Sequence, residues 1–540
     1  MASSKNSPMN LVRPTVLLMT ATLLAAVPLG VVAVAQESLT ETTTGATTEQ
    51  PEIDPQQTLQ TAEEALAAGD FQKALEEFTK LAVWGQRNAY QHELGQQSLG
   101  LGITGRGRVL AKMQEYEAAI QEFKQILDSN RDYAPALLAR GEMYLDLGAN
   151  EQAYLDFQNA VKSQRGNLRA QFGYGKASVL VGLYDQGVKA LTLVLGAEPE
   201  HAEALRLRGA GYANLYKTSL AYDDLQESIR LEPENHETYF SLGEVFFRDK
   251  KYRDAIDQFG KAVEYYKPKP GREDEPYLQG HLTRAVAFIE LGKAETDPAA
   301  KKAAYQGSVE ESQKLLAQLD ENNPGHAQAR AATLHSRGVA ERMLGELGKA
   351  IRTFSEAIEL NPELSESYYR RGICFHHLGE DKMAISDFVQ AANISFSDPR
   401  ANLWEGYTWA KLGDYHQAIR AYGNAIAASD RYTPAYVNRG LAYMMLGQYE
   451  KAVNDFNEAI RLEPAVSKHY YHRGVAYEQL RDYEKASTSF ATAIEMDNKH
   501  AGAYRHMAST MQALGRNELA NQYRQKANEL APANSQQQTQ

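Results

Sequence analysis

Equivalent side chains recur every 34 residues through the second half of this chain. The pattern around Tyr436 returns one period later around Tyr470 and, less completely, one period earlier around Gly406. Its clearest copy contains Tyr436, Arg439, Gly440, Tyr443, Leu446, Gly447, Tyr449, Ala452, Phe456, Ala459 and Pro464. Self-similarity at a period of about 20 to 50 residues is typical of stacked repeats. The length of 540 residues therefore does not require several globular domains, because a stack of repeats grows in one dimension.

Each copy has the spacing of two short helices joined by a tight turn. Tyr436, Gly440 and Tyr443 lie three or four residues apart, which places them on one face of a helix. Ala452 and Phe456 show the same spacing further along the copy. Gly440 and Ala452 are expected to let the two backbones approach, and the glycine between the helices can adopt the left-handed conformation that ends a helix. Because neither helix buries its apolar face alone, the hairpins are predicted to stack.

These small and aromatic residues resemble the tetratricopeptide repeat, a helix-turn-helix unit of 34 residues. The resemblance implies an all-α protein, a right-handed α-solenoid of about thirteen stacked units. Six units in unbroken register begin near Ala331, Ser365, Pro399, Thr433, Ser467 and Ala501. Five more begin near Gly100, Ala134, Leu168, Ala202 and His236. Two irregular units complete the set: one near 55–87, followed by an interruption at 88–99, and one over 278–324 whose helix connection is lengthened.

Composition changes along the chain predict its organisation. Prolines and charges at 267–276 forbid a continuous helix and indicate a boundary between two arrays. The predicted regions are a signal peptide or membrane anchor (1–35), a disordered spacer (36–54), a degenerate first unit with an insertion (55–99), a first array (100–269), a linker with a lengthened unit (270–330), a second array (331–534) and a disordered tail (535–540).

The first 35 residues have the features of an export signal. Basic residues precede an apolar run over 15–35, and this run ends in the small-x-small motif Ala-Val-Ala at 33–35. Cleavage there would start the mature chain at Gln36 and predicts a periplasmic or secreted protein. The alternative is an uncleaved membrane anchor, because about 20 apolar residues can span a bilayer. Pro28 and Gly30 weaken such a helix and favour cleavage.

Charge and cysteine content argue against several classes of function. The net charge of -12 and the pI of about 5.7 disfavour general nucleic-acid binding, because phosphate contacts need a basic surface. The single cysteine, Cys374, cannot form an internal disulfide, and its place beside Gly372 indicates a small apolar filler rather than a nucleophile. The sequence shows no Gly-rich phosphate loop and no Gly-x-Ser-x-Gly motif. We therefore predict neither an enzyme nor a bound cofactor.

A recurrent arginine predicts a salt bridge inside the repeat. It occupies the same position in seven units, at Arg106, Arg140, Arg208, Arg337, Arg371, Arg439 and Arg473. In five of these units an acidic residue follows sixteen positions later, at Glu122, Asp156, Asp224, Asp387 and Asp455. The two positions lie across the interface of a helical hairpin. Their covariation predicts an ion pair in which the arginine stem packs flat.

The resemblance also implies where partners bind. In such proteins the first helices line a concave groove, and positions 2, 5, 6, 9, 12 and 13 of each unit face it. In the second array the partner-binding groove is predicted to contain Tyr369, Arg370, His376, Trp404, Tyr407, Asn438, Met444, Lys468, Tyr471 and His472, beside His335, His377, Leu403, Met445, Arg505 and His506. Aromatic, methionine and basic side chains suit an extended or helical protein segment. The rings of Tyr369, Tyr407 and Tyr471 are expected along the groove wall.

The first array offers a sparser set at the same positions: Phe172, Lys176, Arg206, Phe240, Glu244, Phe247 and Arg248. A two-carboxylate clamp found in some relatives is half absent, because the corresponding positions hold Leu403, Tyr407, Asn438, Lys468 and His472.

Three classes of function remain open. The leading hypothesis is a non-catalytic protein-protein interaction scaffold that binds peptide or protein segments in an exported compartment. The second is a structural, envelope-assembly or polysaccharide-associated factor. The third is a metal-dependent enzyme, supported only by His376 and His377 with His335 and His472. Adjacent helical residues point about 100° apart, which disfavours a shared metal ion.

Overall fold

The described part of the chain is built from helices. The computed structural model describes residues 53–90, 93–268 and 275–530, which form 26 α-helices and one 3-10 helix, Pro324–His326, and contain no β-strand. Contacts divide the chain into two compact units, Met1–Lys267 and Pro268–Gln540. Several predicted regions lie outside the described residues: the export signal or anchor at 1–35, residues 36–52 of the spacer, residues 91–92 of the insertion, residue 269 of the first array, residues 270–274 of the linker, residues 531–534 of the second array and the tail at 535–540.

The first unit contains α1 (Pro55–Ala67), α2 (Phe71–Asn88), α3 (Glu93–Lys112), α4 (Tyr116–Ser129), α5 (Ala134–Asp146), α6 (Asn150–Ser163), α7 (Leu168–Leu180), α8 (Tyr184–Ala197), α9 (Ala202–Asn214), α10 (Thr218–Leu231), α11 (His236–Arg248) and α12 (Tyr252–Tyr265).

The second unit contains α13 (Leu278–Ala294), α14 (Pro298–Gln318), α15 (Ala327–Met343), α16 (Leu347–Leu360), α17 (Ser365–Leu378), α18 (Asp381–Ile394), α19 (Pro399–Lys411), α20 (Tyr415–Ala428), α21 (Thr433–Met445), α22 (Tyr449–Leu462), α23 (Ser467–Gln479), α24 (Tyr483–Met496), α25 (Ala501–Ala513) and α26 (Asn517–Leu530).

Within each unit the helices form stacked hairpins. Each odd-numbered helix packs against the even-numbered helix that follows, and that helix packs against the next odd-numbered one. This confirms the prediction of an all-α solenoid of helix-turn-helix repeats. Among the described helices, none is both long enough and apolar enough to cross a bilayer.

The turn inside the hairpin uses a left-handed residue. Glycine supplies it in eight hairpins, at Gly69, Gly148, Gly182, Gly345, Gly379, Gly413, Gly447 and Gly515. Gly447 has φ 71°, as its place between the two predicted helices indicated. In four hairpins a residue with a side chain takes this conformation, at Gln114, Tyr216, Lys250 and Arg481. A left-handed backbone costs an L-residue about 1 kcal/mol, so these four turns are strained.

We expect Arg481→Gly to raise the free energy of unfolding of the second unit by about 1 kcal/mol, because glycine removes the steric conflict of the Cβ atom. The φ of Arg481 is 60°, and urea denaturation followed by circular dichroism measures the change. Gly447→Ala is the matched control, since it introduces the same conflict and should lower stability by a similar amount. Equal stability of Arg481→Gly and the parent chain would contradict strain at this turn.

In most repeats a glycine of the first helix makes room for a ring or a leucine on the second helix. A Cβ atom at Gly440 would lie 2.7 Å from the ring of Phe456, which is fully buried. The same contact recurs between Gly474 and Phe490. The expectation that Gly440 and Ala452 let the two backbones approach stays a prediction; at the equivalent positions of another repeat, a Cβ atom at Gly209 would lie 3.2 Å from the carbonyl oxygen of Ala221. Ala452 is fully buried in the same cluster.

Glycines also explain why the structure differs from the prediction near the start of the first unit. The predicted interruption at 88–99 is partly helical, because α3 begins at Glu93. A Cβ atom at Gly102 would lie 2.5 Å from the backbone nitrogen of Ala82. One at Gly85 would lie 2.3 Å from that of Leu99. Helices α2 and α3 thus pack backbone against backbone, and residues 93–99 belong to the second hairpin.

The irregular repeat at 278–324 has longer helices rather than a longer connection. Helix α13 has 17 residues and α14 has 21, and only residues 295–297 separate them. Asp297 caps α14 by accepting a hydrogen bond from the backbone of Ala300 at 2.7 Å, and Pro298 occupies the first helical position, where it is well tolerated. The extra residues therefore extend both helices, which corrects the predicted lengthened connection.

The five predicted ion pairs are all present. Arg140, Arg208, Arg371 and Arg439 each donate two hydrogen bonds to an aspartate at 2.7–2.9 Å. Arg106 donates two to Glu122, at 2.6 and 3.1 Å. The four aspartates are buried, and in each of these four pairs the arginine also lies over a tyrosine ring. The pairs join the two helices of a repeat, which confirms their structural interpretation.

Three of these arginine positions also connect neighbouring repeats, and at the first of them Arg208 donates a hydrogen bond to the Thr192 hydroxyl at 3.4 Å. Arg371 donates a further hydrogen bond to Ser355 of the preceding hairpin at 2.8 Å, and Arg473 donates one to Asn457 at 2.9 Å. Arg473 has no acidic residue sixteen positions later and donates to Ser489 instead, at 3.2 Å.

Candidate functional site

The first helices form the inner face of each unit. Consecutive first helices contact one another side by side from α1 to α11 and from α13 to α25. Consecutive second helices make no comparable contact among the described helices. A stack whose layers approach more closely on one side curves toward that side. The predicted groove residues of the second unit all lie on these inner helices.

An aromatic cluster occupies the middle of the inner face of the second unit. The Trp404 ring contacts the rings of His376 and Tyr407 at centroid distances of 5.4 and 5.8 Å. The amide of Asn438 donates a hydrogen bond to the Tyr407 hydroxyl at 3.1 Å. Tyr407 remains 37% exposed. This central cluster, formed by His376, His377, Trp404, Tyr407 and Asn438, is thus held by internal contacts and open to solvent on one side.

Tyr369 does not lie on the open wall. Its side chain is only 9% exposed, because the guanidinium groups of Arg370 and Arg400 lie 5.4 and 5.0 Å from the centre of its ring. Burial raises the pKa of its hydroxyl. The expectation that the Tyr369 ring lines the groove is therefore wrong, since the two guanidinium groups cover it.

A carboxylate links these guanidinium groups across two repeats. Glu366 accepts a hydrogen bond from Arg370 at 2.9 Å and another from Arg400 at 2.8 Å. Arg400 also pairs with Asp398 at 2.6 Å. Glu366 and Arg400 are absent from the groove residues predicted from the sequence, although both occupy position 2 of their repeats. Because position 2 faces the groove in the family pattern, applying it to these two repeats would have predicted both residues.

A second cluster lies on α23 and α25. The Tyr471 ring contacts the imidazoles of His500 and His472 at 4.6 and 5.4 Å. His506 lies 5.7 Å from the same ring. Lys468 is exposed at the edge of this cluster. Tyr471 and His472 are therefore in contact with each other, and Lys468 lies about one helical turn before them on α23.

Helix α21 lies between the two clusters. It carries Asn438 together with Met444, which is half-buried, and Met445, which is 63% exposed. An exposed, flexible thioether adapts readily to different partner surfaces.

On the inner face of the first unit, several of the predicted groove side chains are paired or buried within the protein. Lys176 pairs with Glu203 at 2.8 Å, and Arg206 pairs with Glu237 at 2.7 Å. Phe240 is 8% exposed. Lys176, Arg206 and the ring of Phe240 thus already have partners within the protein.

The remaining reactive or metal-binding side chains of the described residues are packed within the fold and are not grouped into a site. Cys374 is fully buried, and burial raises the pKa of its thiol to about 11. The rings of His376 and His377 lie 5.9 Å apart at 78°. Across the part of the chain that the structure describes, no group of three or more histidine, cysteine or acidic side chains is arranged to hold a metal ion.

Two histidines make the stability of the second unit depend on pH. Burial lowers the pKa of His335 and of His472 from 6.5 to about 4. In the unfolded chain these groups take up protons as the pH falls through 6.5, whereas the folded chain resists until about pH 4. Their contribution to stability is therefore complete above pH 6.5 and is lost progressively as the pH falls to about 4.

We expect the free energy of unfolding of the second unit to fall less steeply with acid in the double variant His335→Gln with His472→Gln than in the parent chain. Urea denaturation between about pH 7 and about pH 4 measures the slope. The carboxylates titrate equally in both proteins, so the difference between the two slopes measures the contribution of the histidines. Parallel slopes would contradict the prediction.

Fold and site together define an all-α helical-repeat protein with an open groove on its inner helices. Family models of the tetratricopeptide repeat match residues 104–167, 336–399, 433–465 and 468–500. The chain therefore contains tetratricopeptide repeats, which confirms the resemblance inferred from the 34-residue spacing.

Its similarity to known proteins is distant and partial. The chain is 23% identical to human Tetratricopeptide repeat protein 6 over 28% of its own length and 36% of the relative. It is 24% identical to Hsp70-Hsp90 organizing protein 3 of Arabidopsis thaliana over 48% and 43% of the two lengths. Among solved structures, the APC/C hetero-tetramer Cut9-Hcn1 is similar with a TM-score of 0.35 and 16% identity, over 89% of this chain and 88% of that one. The chain thus spans less than half the length of these two curated relatives.

Proposed function

We propose that this chain is a non-catalytic scaffold that binds peptide or protein segments on the inner helices of its second unit, in an exported compartment. The observation that carries the proposal is the central cluster, where Trp404, Tyr407 and Asn438 are ordered by contacts within the protein yet remain open to solvent. Rigid aromatic side chains on a concave surface are the usual anchors of protein partners. The similarity to Hsp70-Hsp90 organizing protein 3 of Arabidopsis thaliana is consistent with this class of function.

Photo-cross-linking from the groove tests the proposal directly. A photoreactive phenylalanine analogue replaces Tyr407, and the matched control replaces Phe396, which is 80% exposed in the loop between α18 and α19. We expect cross-links to a defined polypeptide from position 407 and none to the same polypeptide from position 396. Equal capture at both positions, or none at 407, would show that partners bind elsewhere.

Export is tested separately by fractionation and amino-terminal sequencing. The sequence motif at 33–35 supports cleavage before Gln36. A chain that starts at Gln36 in the exported fraction is the expected result. A chain that retains residues 1–35 in the membrane fraction would favour an anchor, and an uncleaved cytosolic chain would contradict export altogether.

A further inference from the structure

Two tyrosine rings lie in contact at the joint between two consecutive repeats of the first unit. Tyr154 lies on α6 and Tyr174 on α7, and the centres of their rings are 5.4 Å apart with an angle of 32° between the ring planes. The two hydroxyl groups donate hydrogen bonds to the same oxygen, Oε1 of Gln186, at 2.9 and 2.6 Å. A single acceptor thus holds both phenol oxygens, and the ring carbons beside them, close to one point.

This contact exists because two departures from the repeat pattern fall at the same joint. Tyr174 occupies the position of the recurrent arginine, and the residue sixteen positions later is Ala190 rather than a carboxylate. The position of Tyr154 is aliphatic in most other repeats, at Ile120, Val188, Ile256, Ile351, Ile385, Ile419 and Val453. The joint between α6 and α7 therefore carries a phenol on each side, where the pattern of the other repeats predicts neither.

Both phenols are accessible and are protonated at neutral pH. The rings of Tyr154 and Tyr174 are half-buried, and Gln186 is exposed. Gln158 donates a further hydrogen bond to the Tyr154 hydroxyl at 2.8 Å. The neighbouring Tyr174 hydroxyl, and then burial, raise the pKa of Tyr154 above the usual value for a phenol, which is about 10. Oxidation of this ring therefore releases a proton to water together with the electron.

We propose that Tyr154 and Tyr174 form an oxidative cross-linking site, at which a one-electron oxidant joins the two rings as dityrosine. Each phenol loses one electron and one proton and becomes a phenoxyl radical. A carbon–carbon bond then forms between ring carbons next to the two oxygens, and the hydrogen atoms of these carbons are transferred to the oxygens as the rings become aromatic again. With a peroxidase as the oxidant, one hydrogen peroxide accepts the two electrons and two protons and becomes two molecules of water. Coupling is favoured because the rings are held together before they react.

A second tyrosine pair of the first unit offers an internal comparison. The rings of Tyr239 and Tyr265 lie 5.3 Å apart at 31°, so their distance and angle are nearly the same. The Tyr239 side chain, however, is buried, and its hydroxyl donates to the carbonyl oxygen of Pro233 at 2.9 Å. This hydroxyl is thus directed to the backbone and shielded from an oxidant. We expect cross-linking between Tyr154 and Tyr174 and not between Tyr239 and Tyr265.

Treatment of the full chain with a peroxidase and hydrogen peroxide tests the site, in dilute solution so that coupling between molecules is slow. Tryptic digestion and mass spectrometry should detect the segment 141–162 joined to the segment 170–176 with the loss of two hydrogen atoms. Tyr174→Phe should abolish this product, because phenylalanine keeps the ring and cannot form a phenoxyl radical. Tyr265→Phe is the matched control and should give the same yield as the parent chain. The cross-linked chain should also melt at a higher temperature, since a covalent link between α6 and α7 restricts the unfolded chain.

Four results would overturn the inference. These are products spread over highly exposed tyrosines such as Tyr90 and Tyr216 without enrichment of the predicted one, an undiminished product in Tyr174→Phe, an equal yield from Tyr239 and Tyr265, or an unchanged melting temperature of the cross-linked chain. The readouts need no partner and neither tyrosine belongs to the predicted groove. Cross-linking from position 407 therefore tests the proposed function independently of this site.

Discussion

Ala452→Glu should unfold its own repeat and leave the first unit folded. Ala452 is fully buried on α22 among Val453, Phe456 and Ala476. A glutamate there places a larger, charged side chain where no partner is available. We expect a loss of more than about 3 kcal/mol, because burial of an unpaired polar group adds to the strain of overpacking.

The extent of the damage follows from the contacts of α22, which packs on α21 and α23. In a stack of repeats, stability is approximately a sum of terms for each repeat and its neighbours. Hydrogen exchange should therefore accelerate from α21 to α23 and remain slow in the first unit. Asn454→Glu, at an exposed position of the same helix, is the control and should change little. Faster exchange throughout both units would contradict a one-dimensional model of stability.

The regular parts of the fold could be predicted because each repeat supplies its own local signals. Gly440 with Phe456 and the left-handed Gly447 recur with the same spacing, so the sequence alone predicts the hairpin and its turn. The pairing of Arg439 with Asp455 could also be predicted from the sequence, because the residues at these two positions vary together from repeat to repeat. Features that depend only on residues within one 34-residue period can therefore be predicted from the sequence alone.

Features that depend on contacts with the neighbouring repeat could not be predicted from the sequence in this way. Tyr369 occupies a position that faces the groove, but a residue 31 positions later, Arg400, covers its ring. The groove pattern specifies a direction for each side chain and not what lies above it.

The irregular repeats were difficult for a different reason. The apolar spacing of α13 and α14 continues beyond the normal length, so extra helical turns resemble an extended loop when the 34-residue register is imposed. Likewise, α3 is rich in glycine, which normally disfavours a helix by about 1 kcal/mol per residue. Its close packing against α2 overrides that preference.

That packing leads to the second large effect: Gly102→Ala should destabilise the first unit by about 3 kcal/mol, the upper range for overpacking. The new Cβ atom would lie 2.5 Å from the backbone nitrogen of Ala82 and 2.7 Å from its Cα. A flexible side chain could move aside, but a helix backbone cannot, so α2 and α3 must separate. Gly423→Ala is the matched control. Gly423 also lies inside a helix, and its added Cβ atom would meet only the guanidinium of Arg439, at 3.8 Å.

Alanine has the higher helix propensity, so Gly423→Ala should be neutral or stabilise by up to about 1 kcal/mol. The opposite signs of the two glycine-to-alanine changes separate packing from propensity. Thermal denaturation gives both values, and hydrogen exchange should locate the loss in Gly102→Ala between α1 and α4. If Gly102→Ala were instead as stable as the parent chain, the two helices would not be in backbone contact, and residues 93–99 would behave as the interruption that the sequence pattern indicated.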